Sequence, residues 1–116
     1  MKKQNKKKAV LDTVMAKTAN LAELIEYADD SVVSKTIVDK PVGTITIFAF
    51  DAGQGLSKHQ APYDAVVQVI EGKAVLVIDG KEVKAETGEL IVMPANVPHS
   101  VRADEKFKML LTMIRA

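Results

Sequence analysis

The stretch Ala65-Val66-Val67-Gln68-Val69-Ile70-Glu71-Gly72-Lys73-Ala74-Val75-Leu76-Val77-Ile78-Asp79-Gly80-Lys81-Glu82-Val83-Lys84-Ala85 decides the fold. A nearly continuous apolar run, Ala65 to Ile70, is punctuated by Gly72. Two further runs, Ala74 to Ile78 and Lys81 to Ala85, flank Asp79-Gly80, a two-residue hairpin signal in which glycine supplies the positive φ of a primed turn. Working outward, the same grammar repeats. Thr44 to Phe50 alternates, with Thr44, Thr46 and Phe48 on one face and Ile45, Ile47 and Ala49 on the other. Ser31 to Val38 precedes it across a Pro41–Gly43 turn. Leu90 to Met93, Val97 to Ala103 and Phe107 to Ile114 complete the set, with Pro94, Asn96 and Pro98 stiffening one loop. Short strands at this spacing predict an all-β sandwich or closed barrel.

Only one segment departs from period two. Leu21, Leu24 and Ile25 have the spacing of a helix face, Thr18 or Asn20 can cap it, and Glu23 follows Asn20 by three, so a short N-terminal helix is expected, ending at Asp29-Asp30.

At 116 residues the chain has room for one core. The expected organisation is a basic, disordered tail and helix lead-in over 1–19 and a single barrel domain over 20–116. Net charge is +1, but Lys2, Lys3, Lys6, Lys7 and Lys8 give the first eight residues +5, leaving −4 on the rest. Such a tail reads as a solvated end, so neither a nucleic-acid nor a membrane partner is expected. The chain has no cysteine, which excludes disulfides, a thiolate nucleophile and cysteine metal sites. Ala9-Val10-Leu11 breaks at Asp12, far short of a signal-peptide core, and no run reaches membrane-span length, so the expected location is cytoplasmic. Phosphate loops, Ser–His–Asp spacing and basic-aromatic strips are missing too.

The two histidines, His59 and His99, each lie at or near an expected strand start. Gly53-(x5)-His59-(x12)-Gly72 and Gly88-(x5)-Pro94-(x4)-His99 resemble the two motifs of the cupin family, with the Asp79-Gly80 hairpin at the inter-motif turn. The stretches from His59 to Ala65 and from Met93 to His99 are similar to a subgroup of uncharacterised single-domain prokaryotic cupins. The resemblance spans Gly53 to Ala103 and implies a jelly-roll (double-stranded β-helix) barrel, a homodimer and a small-molecule site at the barrel mouth. It also implies one divalent metal held by His-x-His, a glutamate and a later histidine. Here the first and last of these match His59 and His99, but Ala61 and Ala65 stand at the other two positions, with Asp64 one residue off on the opposite strand face. Asn96 replaces the second motif's glycine, and Ala103 its terminal asparagine. Two imidazoles suit zinc, nickel, iron, manganese or copper only weakly, the site being two ligands short.

The expected pocket comprises Phe48, Phe50, His59, Tyr63, Gln68, Met93, His99 and Met109. Phe48, Phe50, Phe107, Met93, Met109 and Met113 read as core packing, or in part as the lining of an apolar pocket; Asp64 reads as a loop hydrogen-bond acceptor, and Arg102 and Arg115 as solvated. Three functional readings stay open. The first is a small-molecule-binding barrel with a reduced two-histidine site. The second is a metal-independent isomerase or epimerase, in which His59 or His99 is the base and Tyr63 the acid. The third is a regulatory or structural dimer without catalysis.

Overall fold

Asp79 and Gly80 both take positive φ (51° and 79°), the signature of a type I′ turn. They join β5 (Lys73–Ile78) to β6 (Lys81–Glu86) in register from Ile78↔Lys81 to Lys73↔Glu86. The computed structural model describes residues 9–115. The remaining strands are β1 (Val32–Lys40), β2 (Gly43–Phe50), β3 (Gly55–His59), β4 (Tyr63–Glu71), β7 (Leu90–Met93), β8 (His99–Arg102) and β9 (Phe107–Arg115). All pair antiparallel in two sheets, ordered β1-β2-β9-β4-β7 and β3-β8-β5-β6, and together form a jelly-roll barrel. Gly72 turns β4 into β5 at φ +85°, where a Cβ would lie 2.6 Å from the Lys106 carbonyl oxygen, so a side chain has no room.

Between the sheets lie Phe50, Ala65, Val67, Val69, Ala74, Leu76, Val101, Phe107 and Met109, all buried. Phe50 stacks on Phe107 with ring centroids 4.6 Å apart and on Phe48 at 5.7 Å. The alternation read in β2 holds: Phe48 and Phe50 face this core, while Ile47 and Ala49 face the other side of the sheet. On β4, Ile70 likewise packs into the outer cluster with Ile47 and Ala49.

The expected N-terminal helix is replaced by two three-residue 3₁₀ turns, Asp12–Val14 and Leu21–Glu23. Asn20 does cap the second, accepting from the Ala22 N–H at 3.1 Å. A segment this short cannot offset the cost of helix nucleation. Ile25 instead inserts over Ile47 and Ala49, so the apolar spacing serves a strap across the sheet's outer face. Lysines pin that strap. The Nζ of Lys108, a buried residue, donates to the Ala22 carbonyl at 2.6 Å, and Lys35 Nζ to that of Leu24 at 2.8 Å. Tyr27 donates its hydroxyl to Glu71 Oε2 at 2.6 Å, and burial with that carboxylate raises the phenol's pKa well above its ordinary value. Upstream, Val10 bridges Val38, with Leu11 N–H donating to Ile37 O and Asp39 N–H to Ala9 O, which covers the β1 edge. The lysine run of the expected tail lies outside the described residues. Among those described, no helix is long and apolar enough to cross a membrane.

Candidate functional site

His59 closes β3 and His99 opens β8, and the two are partners across the β3–β8 ladder. Their rings meet edge to face, centroids 4.4 Å apart and planes at 66°. Each imidazole is oriented the same way. His59 Nδ1 lies 2.9 Å from the Ser57 carbonyl oxygen and His99 Nδ1 3.1 Å from that of Val97. A carbonyl only accepts, so each Nδ1 carries a hydrogen, and in the neutral ring this leaves Nε2 as the acceptor.

Both rings line a cavity of about 290 Å³ between the sheets. The five-stranded sheet supplies Phe48, Tyr63, Ala65, Met93, Met109, Leu111 and Met113; the other sheet and the β3–β4 loop supply Leu56, Val101 and Ala61. The walls are apolar apart from the imidazoles and the Tyr63 phenol. That composition suits a compact organic ligand, at the small end of the usual ~300–1,000 Å³ range.

Six of the eight expected pocket residues are on this wall, and two are not. Phe50 lies beneath it, fully buried between Phe48 and Phe107. Gln68 is exposed on the outer face, because Ala65, Val67 and Val69 take the inward positions of β4. His59 ends a strand rather than starting one. The exposed edge strand β3 shows no alternation in Leu56-Ser57-Lys58, so its wall residue Leu56, paired with Val101, gave no signal in the sequence.

The neighbouring polar residues are occupied structurally. Asp64 accepts the Ala95 N–H at 3.0 Å, and Asn96 N–H donates to the Ala61 carbonyl at 2.8 Å, joining the two loops beside the cavity. Asn96 takes φ +63°, a conformation asparagine tolerates in place of the expected glycine. Arg102 is not simply solvated: it bonds Asp104 at 2.7 and 3.2 Å and Glu82 at 3.0 Å, and these acids raise its pKa. Arg115 donates to the Tyr63 hydroxyl at 2.6 Å and sits 5.1 Å from that ring's centre.

A resident divalent ion does not fit this donor set. The methyl groups of Ala61 and Ala65 line the cavity where the resemblance implies an imidazole and a carboxylate. Among the described residues no group of three or more His, Cys, Asp or Glu is arranged to hold a metal. Two nitrogens fall short of the three or four protein ligands of a tight site.

Residues 46–115 match the family model described as Cupin domain. A conserved protein of unknown function from Streptococcus pyogenes is 33% identical, covering 97% of this chain and 98% of that one, at a TM-score of 0.88. A Cupin 2 conserved barrel domain protein from Leptotrichia buccalis is 44% identical at a TM-score of 0.82, covering 84% of this chain and 47% of that longer one. An RmlC-like cupin protein from Desulfovibrio desulfuricans is 32% identical, covering 84% and 95%, at a TM-score of 0.74. No curated protein matches the chain.

Proposed function

The chain belongs to the cupin domain family, and on that premise we propose that it binds a small, largely apolar organic molecule between its sheets, with His59 and His99 as the polar contacts. The observation that carries this reading is the convergence of two oriented imidazoles on an otherwise apolar 290 Å³ cavity. Burying the ligand's apolar body supplies the affinity, at roughly 25 cal/mol per Å² before the entropic cost of association. The Nε2 lone pairs accept from a ligand hydroxyl or N–H and set its orientation.

A thermal-shift screen of compact aromatic and aliphatic compounds tests it. Compounds that stabilise the wild type must lose their effect in Ala61→Phe, which fills the cavity, and weaken in His99→Ala. Stabilisation that survives both substitutions places the binding elsewhere and refutes the reading.

A second reading, proton transfer on a bound substrate, rests on Tyr63 sharing the cavity wall with both imidazoles. It requires Tyr63→Phe to abolish turnover while leaving binding intact; turnover that persists in the variant ends it.

A further inference from the structure

A second, smaller cavity of about 70 Å³ adjoins the first, sharing Tyr63 and Met113 with it. It lies where four strand ends meet. Lys40 closes β1, Gly43 and Thr44 open β2, Tyr63 opens β4 and Arg115 closes β9. Three features of its lining leave polar capacity for a ligand. The Thr44 hydroxyl oxygen is buried with no hydrogen-bond partner among the described residues, a costly state for a polar group. Arg115 uses one of its guanidinium donors on the Tyr63 oxygen, and no carboxylate pairs with it among the described residues. Lys40 likewise has no acidic partner among them. Tyr63, having accepted from Arg115, keeps its own proton to donate. Asp39 stands across the ladder from Thr44 but is not on the cavity's lining.

From this juxtaposition we infer that the ligand is a small apolar carboxylic acid, its head group seated among Lys40, Thr44, Tyr63 and Arg115 and its apolar body in the histidine-lined cavity. The inference rests on the small-molecule reading above and adds the charge of the ligand and its direction in the barrel. The volume suits a carboxylate and little more. Two cations and two hydroxyl donors match its acceptor-only oxygens, and Arg115 can engage both of them together. No acidic side chain lines either cavity to repel it.

Isothermal titration with phenylacetate, 2-phenylethanol and 2-phenylethylamine tests the assignment, since the three share a body and differ in the head. The acid should bind roughly fivefold or more tighter than the alcohol at low salt, the amine weakest, and the preference should shrink at high salt. In the Lys40→Gln/Arg115→Gln double variant, acid and alcohol should bind within about twofold of each other. Lys73→Gln/Lys81→Gln, an equal charge loss outside the seat, should preserve the preference. Thr44→Val should weaken the acid. Equal binding of acid and alcohol by the wild type, or a preference that survives the double variant, overturns the carboxylate seat and leaves the cavity reading standing. Failure of all three probes to bind overturns both.

Discussion

Placing histidine at 61 and glutamate at 65 should turn the two-imidazole cavity into a metal site. Both alanines line the cavity with His59 and His99, and Ala65 is only 3% exposed. Without metal, Ala61→His/Ala65→Glu buries new polar groups and should lose about 1–3 kcal/mol of stability. With nickel a hundredfold above its Kd, linkage returns about 2.7 kcal/mol. At about 4 °C per kcal/mol for a domain near this size, that is roughly a 10 °C rise in Tm. The wild type, with two donors, should move by less than about 2 °C at the same nickel concentration. Differential scanning calorimetry of untagged protein, with and without nickel and after chelation, reads both numbers. An equal rise in the wild type would show that donor number is not what limits metal binding here. A double variant that gains nothing would show that positions 61 and 65 do not aim at the space the imidazoles share.

Three further predictions concern the scaffold. Gly72→Ala, forced to positive φ against the Lys106 carbonyl, should cost about 3 kcal/mol in urea unfolding, whereas Gly80→Ala, with open space around it, should cost about 1; equal costs would refute the close approach. The Asp51 carboxyl is held below its ordinary range by the N–H groups of Asp30 and Ala52, so its stabilisation is present above about pH 4 and fades as pH falls through the lowered value. Asp51→Asn should therefore flatten the acid limb of the stability curve, and an unchanged limb counts against the assignment. Leu90, Val92 and Ile114 are 59%, 55% and 57% exposed on the outer face of the five-stranded sheet, which favours the homodimer the family resemblance implies. Light scattering should then find a dimeric wild type and a monomeric Val92→Glu, and a monomeric wild type refutes it.

What the sequence made legible was local. Asp79-Gly80 announces its turn because two successive positive φ values demand those residue types, and Thr44 to Phe50 announces its faces because a half-buried strand must alternate. The pairing of His59 with His99 was legible only through the motif resemblance, as forty residues separate them. Other features depend on registers set far away in the chain. Leu21, Leu24 and Ile25 carry a helical spacing, but the sheet surface at Ile47 and Ala49 takes them as an extended strap. Gln68 carries no mark of facing outward until β4 is locked between β7 and β9. The cluster of Lys40, Thr44, Tyr63 and Arg115 is invisible along the chain, since β1, β2, β4 and β9 each contribute one residue at a strand end.

The two cavities together constrain orientation. A carboxylate sunk among Met109, Leu111 and Val101 would lose its hydration without recovering equivalent partners, a penalty of several kcal/mol per unpaired ion. At the strand ends it keeps contact with water, because Lys40 and Arg115 are exposed. An acid head there directs the apolar body into the cavity that His59 and His99 line. A donor on that body would pair with the Nε2 of His99, which is only 9% exposed, and an analogue lacking it would leave that buried nitrogen unpaired. Selectivity among acids of similar size should therefore follow the placement of a hydroxyl or N–H along the body. The alanines at 61 and 65 leave the room beside the rings in which such a group can stand.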